Sequence, residues 1–253
     1  MQLNFDGKTG VDTAIERLQE WEPPRGYWVG YSGGKDSELT LDLVKRAGVK
    51  FDAHYSVTGI DPPELVHHIK NYHPEVEFHL TRPSFWSVLP KRGIPQRKGR
   101  WCCEMLKESC GENRVIVTGV RWAESPRRRS TRKVVEECYR DSTKIYVNPI
   151  IGWEDYQVWD YIKKNNLPYC SLYDEGWERL GCVMCPMVSS DKAKREMERW
   201  PKIANLWKRG IYKYWEKGTE GTKKFETPEA LWQWFISRKG HGKNEDQMKF
   251  HFE

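Results

Sequence analysis

Three observations predict an α/β fold: a doubly wound, mostly parallel sheet with a helical C-terminal extension. Apolar, strand-like runs alternate with amphipathic ones between residues 11 and 165. A glycine turn joins the first strand to the helix that follows it. After about residue 188 the pattern is helical and Trp-rich, with no new strand. The expected division is therefore a sheet domain over 1–190 and a helical cap over 191–253.

Residues 11–21 carry helical periodicity and stop at Pro23-Pro24. The run Gly26-Tyr27-Trp28-Val29-Gly30-Tyr31 reads as the first strand, and the helix after it extends to Ala47, with Gly48 as its cap. Phe51 to Val57 is the second strand. Asp61 and Pro62 suit the start of a helix reaching Tyr72. Val76 to Leu80 is the third strand, and residues 84–108 are mostly helical around a basic loop. Arg114 to Val120 is the clearest buried strand. The segment from Arg121 to Lys133 is so basic that a mobile loop is expected, followed by a last strand over Ile145–Ile150 and a helix over 153–165.

The most informative stretch is Ser32-Gly33-Gly34-Lys35-Asp36-Ser37, between the first strand and its helix. Two glycines let the backbone approach a phosphate, and successive N–H groups at a helix start form an anion cradle. Lys35 can neutralise phosphate charge, and the Ser32 and Ser37 hydroxyls can donate to its oxygens. The spacing is not that of a Walker loop. It resembles the PP-loop of the ATP pyrophosphatase superfamily, which implies an adenine nucleotide alpha hydrolase-like fold, ATP with Mg²⁺ as substrate, and cleavage between the α- and β-phosphates. In an open sheet of this kind ligands lie beyond the carboxyl ends of the strands, where the loop, Thr58, Gly59 and Arg121 are all expected. Lys35 and Arg121 are the candidate catalytic cations, and Asp36 either orients the loop or helps place Mg²⁺.

A net charge of +6 permits a polyanionic partner without requiring one. Mean hydropathy is −0.81, no stretch is of membrane-spanning length, and the first residues lack a secretory pattern, so a cytoplasmic protein is expected. In that compartment seven cysteines favour metal binding or catalysis over disulfides. Cys102-Cys103 and Cys182-Val183-Met184-Cys185 supply four thiols. Adjacent cysteines diverge and serve one small ion poorly, whereas a [4Fe–4S] cube offers each thiolate its own iron. Zinc and a redox dithiol remain the alternatives.

A Cys-Cys pair followed at long distance by Cys-x-x-Cys-Pro is similar to the cluster motif of the phosphoadenosine phosphosulfate and adenylylsulfate reductase family. The resemblance extends through Asn148–Trp159, Leu167-Pro168-Tyr169, Leu172–Cys182, Gly119-Val120-Arg121 with Glu124-Ser125, and Thr58–Glu64, covering about residues 25–190. It implies Cys102, Cys103, Cys182 and Cys185 as ligands of a [4Fe–4S] cluster. Two features depart from the reductase pattern. The loop keeps a full Ser-Gly-Gly-Lys-Asp-Ser form, which suits ATP. Residues 186–253 hold no cysteine to attack a sulfonucleotide, although Cys110, Cys138 or Cys170 could substitute. The expected function is ATP-dependent, adenylating sulfur transfer, with a nucleic acid or small molecule as acceptor, a sulfur-donor protein as partner and a homodimer as a compatible assembly. The alternatives are a sulfonucleotide reductase using an external thiol, and a nucleotide- and redox-sensing regulator without turnover.

Basic residues cluster at Lys91, Arg92, Arg97, Lys98 and Arg100, and again at Arg121, Arg127, Arg128, Arg129, Arg132 and Lys133. Each cluster reads either as a solvated loop or as an arm closing on phosphates. His67 and His68 are expected on a helix surface and His54 in a strand, all structural; the aromatic residues after Trp207 suggest an aromatic core for the cap.

Overall fold

Local signals in the chain set the boundaries of its elements. In the computed structural model, which describes residues 8–96 and 99–238, Thr9 and Asp12 form a reciprocal capping box that starts α1 (Gly10–Glu20). β1 (Tyr27–Gly30) leads into α2 (Lys35–Ala47), which Gly48 ends in the left-handed conformation at φ 69°. β2 (Phe51–Val57), α3 (Pro63–Tyr72), β3 (Val76–Leu80), α4 (Phe85–Arg92) and α5 (Trp101–Leu106) follow. Then come β4 (Val115–Val117), α6 (Pro126–Thr131), β5 (Val135–Cys138), β6 (Asp141–Val147) and α7 (Asp155–Lys164). The last elements among the described residues are α8 (Ser190–Arg199), α9 (Pro201–Trp215) and α10 (Pro228–Ser237). No helix among the described residues is long and apolar enough to cross a membrane.

The six strands of the described residues form one sheet in the order β3-β2-β1-β4-β6-β5. β1 pairs in parallel with β2 and β4, and β4 with β6; β5 runs antiparallel, against β6. The strand order therefore turns between β1 and β4, the crevice where doubly wound sheets place their ligands. The expected α/β architecture is present.

Two expectations need correction. Residues 121–133 are not a loop: Trp122–Glu124 is a 3-10 turn and α6 follows, started by Ser125, whose side chain accepts the Arg128 amide. Three of its charges are paired, Arg128 with Glu124, Arg132 with Glu136 (2.7 Å) and Arg129 with Glu154 (3.7 Å), which offsets the self-repulsion that would keep it open. The last parallel strand also begins earlier, at Asp141, and has an edge partner in β5 that the sequence did not suggest. In the first basic cluster, Arg97 and Lys98 lie outside the described residues.

The chain divides into two compact units of interleaved segments, where the sequence suggests one boundary near residue 190. Unit one comprises Met1–Ser56, Pro63–His79 and Ser109–Leu180; unit two comprises Val57–Pro62, Leu80–Glu108 and Gly181–Glu253. Unit one buries Val29, Leu39, Leu43, Val117, Val147 and Ile162 around the sheet. Unit two has the expected aromatic core: Trp207 stacks on Phe235 (centroids 5.0 Å apart) and meets Phe85 edge-on at 4.9 Å.

His68 is buried rather than on a helix surface, because unit one holds an ionic network beneath the second helix. The Glu38 carboxylate accepts from Tyr31 Oη (2.5 Å), His73 Nε2 (2.8 Å) and His68 Nε2 (3.3 Å). Burial alone would push the Glu38 carboxyl up, but these three donors outweigh it and hold it at about 2 instead of the ordinary 4.5. Burial likewise pulls His73 down, and its bonds to Glu38 and Glu75 outweigh that, raising it above the ordinary 6.5. The Glu38 contribution is complete above about pH 4.5 and lost as pH falls towards 2; that of His73 is complete below 6.5 and lost as pH rises through its folded value. Glu38→Gln should therefore cost about 2–3 kcal/mol between these limits and progressively less on either side. Urea unfolding of both proteins across the pH range measures it; a difference that does not vary with pH would remove the ionic account.

Candidate functional site

The loop between β1 and α2 is shaped by its neighbours in unit one. Gly33 sits at φ +74°, and a Cβ there would lie 2.8 Å from Leu65 and 3.0 Å from Ile69, both on α3. Only glycine fits that turn. Ser37 Oγ donates to the Gly34 carbonyl (2.8 Å) and accepts the Ser32 amide (3.2 Å), closing the loop on itself, with Ser32 Oγ 3.1 Å away. Gly34 caps α2 with no side-chain hydrogen bond, so the first-turn amides beyond that of Lys35 face no capping side chain and suit an anion. Tyr173 Oη accepts the Lys35 amide (2.9 Å) and braces the loop from a 3-10 turn 138 residues away.

Four charges interlock beside this cradle. Lys35 is buried, with Nζ 3.5 Å from both Asp36 Oδ2 and Asp155 Oδ1. Arg121, 1% exposed, donates Nε to Asp36 Oδ1 (2.7 Å), one terminal nitrogen to the Trp153 carbonyl (3.0 Å) and the other to Asp155 Oδ1 (2.5 Å). Burial would raise the Asp155 carboxyl, but Arg121 and Lys35 outweigh it and hold it below the usual carboxylate range. Gly119 lets the chain after β4 run close to α2: a Cβ there would lie 2.8 Å from the Asp36 carbonyl oxygen. The loop after β1 and the segment after β4 thus meet at the turning point of the sheet.

The structure brings Ser32, Gly33, Gly34, Lys35, Asp36, Ser37 and Arg121 together in unit one. Arg121 is fully engaged by protein groups and acts as a clamp on the two carboxylates. Asp155, Trp153 and Tyr173 are additions that sequence reasoning did not assign. The one local signal was an acidic residue opening α7, behind the Glu154–Gln157 capping box. Thr58 and Gly59 belong to unit two, where Thr58 Oγ1 donates to Asp61 (2.7 Å) and stands 3.9 Å from Cys182 Sγ.

Unit two also gathers the four cysteines. Cys102 and Cys103 open the short helix α5. Cys182 and Cys185 flank a tight turn in which Met184 takes φ 57° and gives its amide to Glu196 (2.6 Å), while Val183 gives its own to Ile60 (2.7 Å). All four thiols are free. Burial pushes the Cys182 thiol up to about 12, against the pull of the Lys107 ammonium hydrogen-bonded to it. The hydrogen bond with Cys103, then burial, raises Cys102, whose thiol also senses Cys185 and Cys182. Among the described residues, the trios of metal-ligating side chains with donor atoms all within 4.8 Å of one another are Glu38–His68–His73 and His54–Glu77–His79. Among the described residues, no three of the four cysteine sulfurs lie within 4.8 Å of one another. The Lys107 ammonium stands beside Cys182 and Cys103.

Comparison with known proteins places this geometry. Two uncharacterized proteins of Methanocaldococcus jannaschii are 29% and 28% identical to the chain, each over 81% of it but over only 45% and 50% of their own length. The chain thus spans about half of these relatives. The adenosine 5'-phosphosulfate reductase of Staphylococcus haemolyticus is 27% identical over 226 residues, 78% of this chain and 90% of the reductase. Among solved structures, phosphoadenylyl-sulfate reductase from Candida auris shares the fold with a TM-score of 0.52 at 18% identity, over 72% of this chain and 97% of that one. FMN adenylyltransferase from Candida glabrata does so with a TM-score of 0.50 at 17% identity, over 69% and 62%. The phosphoadenosine phosphosulfate reductase domain matches residues 26–188, from the first strand to just beyond Cys185. The glycine loop, the strand order around it and this match together make the chain a member of the phosphoadenosine phosphosulfate reductase domain family, a family of nucleotide-using enzymes.

Proposed function

We propose that the chain binds ATP with Mg²⁺ at the 32–37 loop, adenylates an acceptor, and thereby drives sulfur transfer. The observation that carries this reading is the pair of carboxylates, Asp36 and Asp155, set against Lys35 and Arg121. They cancel the two cations, so that the amides of the helix start are left to attract a bare anion. A triphosphate brings a divalent cation that two carboxylates can share, and their neutralisation frees Lys35 for the phosphates. A sulfonucleotide brings no such ion.

In the proposed reaction an acceptor oxygen attacks the α-phosphorus. The bond from that phosphorus to the α,β-bridging oxygen breaks, and pyrophosphate leaves with the cation. Lys35 and the loop amides stabilise the charge that develops at the α-phosphate, and Arg121 holds Asp36 and Asp155 in place. A sulfur nucleophile then displaces AMP from the adenylated acceptor, forming the carbon–sulfur bond. The acceptor, a nucleic acid or small molecule, and a sulfur-donor protein are the partners this chemistry requires.

Cys102, Cys103, Cys182 and Cys185 are the residues that would hold a [4Fe–4S] cluster in unit two. Such a cluster supplies electron storage and a local electric field. Lys107 offsets its negative charge, and Thr58 and Asp61 stand beside Cys182.

A second reading is favoured by the reductases among the relatives. An external thiol would attack the sulfur of adenylylsulfate and displace AMP; a second thiol would then release sulfite and leave a disulfide. The products distinguish the two. Pyrophosphate and AMP from ATP, dependent on Mg²⁺ and on an added acceptor, support the first. Sulfite from adenylylsulfate with thioredoxin, and no pyrophosphate, would replace it with the second.

A further inference from the structure

On the outer part of the sheet in unit one, β2 and β3 present Asp52, His54, Glu77 and His79, spaced so that each pair shares a face of its strand. His54 Nδ1 lies 2.7 Å from His79 Nε2; Glu77 places one carboxylate oxygen 3.7 Å from the former and the other 3.8 Å from the latter. Donor atoms around a tetrahedral ion with bonds of about 2.0–2.1 Å stand about 3.3 Å apart. The three donors already approximate that spacing.

The surroundings fix the rings as metal-ligating histidines are fixed. His54 Nε2 is hydrogen-bonded to Asp52, so Nδ1 carries the free lone pair, and Arg114 in turn pairs with the other Asp52 oxygen. Trp28 stacks on His54 at 3.4 Å and 13° and lies 5.1 Å from His79. One side remains open: the His54 side chain is 5% exposed, His79 24% and Glu77 68%, which leaves room for a water or another exogenous ligand. The other trio, Glu38–His68–His73, is fully buried and its carboxylate already accepts three donors, so it closes on itself.

We infer that His54, His79 and Glu77 bind one divalent transition ion of the zinc class, independently of the nucleotide loop and of the cysteines. On binding, His79 gives up its Nε2 proton and takes the Nδ1 tautomer, replacing the imidazole–imidazole hydrogen bond by two metal–nitrogen bonds. Asp52 is a positioning residue.

The test is anaerobic equilibrium dialysis of the full chain against Zn²⁺, with Co²⁺ as a spectroscopic substitute. The unaltered protein should hold one zinc more than His79→Ala, and the extra cobalt should show no thiolate-to-cobalt charge-transfer band. Glu77→Gln, at an exposed position, should weaken this site, and Asp52→Asn should weaken it about 10–100-fold. Equal zinc in the unaltered protein, His79→Ala and Glu77→Gln would overturn the assignment. So would a thiolate band on the ion that His79→Ala loses.

Discussion

Lys35→Ala is expected to lower the rate of AMP formation from ATP by about 10²–10³-fold, equivalent to about 2.7–4 kcal/mol of transition-state stabilisation. The lysine is buried at the first position of α2, where its ammonium faces the cradle and is held 3.5 Å from each of two carboxylates. Once the divalent cation of the nucleotide neutralises those carboxylates, its positive charge is free to meet the charge that develops on the α-phosphate. Alanine removes that charge and leaves Asp36 and Asp155 with Arg121 alone, so nucleotide affinity should fall together with turnover. Arginine should not restore the rate, because a planar fork cannot take the place of a compact ammonium in a buried slot. Steady-state kinetics with a thermal melt checks this. A folded Lys35→Ala protein with unchanged kcat/KM would show that the loop does not serve the reaction.

Cys182→Ser is expected to have the second large effect, this time in unit two. The anaerobically purified protein should contain about four irons per chain, and the variant close to none, with loss of its visible absorbance. The same change should lower the stability of unit two. The turn carrying Cys182 is tied into its core: Trp207 Nε1 donates to the Val183 carbonyl (3.0 Å), Arg238 donates to the Met184 carbonyl (3.0 Å), and the Met184 amide binds Glu196. A cofactor held at both ends of this turn contributes to folding through mass action. Iron analysis and denaturant unfolding read the two effects separately. A colourless protein without iron, whose cobalt-substituted form shows a thiolate-to-cobalt charge-transfer band that Cys182→Ser removes, would assign the four cysteines to a different metal.

The parts of the molecule legible in the sequence are those governed by neighbours in the chain. Phe51–Val57 and Val76–Leu80 are strands because apolar and β-branched or aromatic residues run between clear breaks, and both bounds agree with the structure. The turn at Gly33 and the stop at Gly48 need glycine for backbone reasons, and both glycines have positive φ. The strand β5 was not legible: Val135–Cys138 is a short edge carrying Glu136 and Glu137, and only its pairing with β6 defines it. The basic segment was misread because its neutralising partners Glu136 and Glu154 lie beyond it, on β5 and before α7. In the candidate site the loop was visible and its bracing was not. Asp155 and Tyr173 reach Lys35 and Arg121 from elements that follow the loop by more than a hundred residues, a relation that only the fold creates. His68 was placed on a surface because its helix looked amphipathic, whereas its ring turns inward to Glu38.

The central claim is that a carboxylate-bracketed glycine loop takes a magnesium-bound triphosphate. Its most direct measurement is the product analysis of the anaerobically purified full chain given either ATP with an acceptor and sulfide or adenylylsulfate with thioredoxin, with and without Mg²⁺. Equal amounts of AMP and pyrophosphate, formed only when Mg²⁺ is present, are the predicted result. Sulfite from adenylylsulfate, with neither pyrophosphate nor any influence of Mg²⁺, would contradict it.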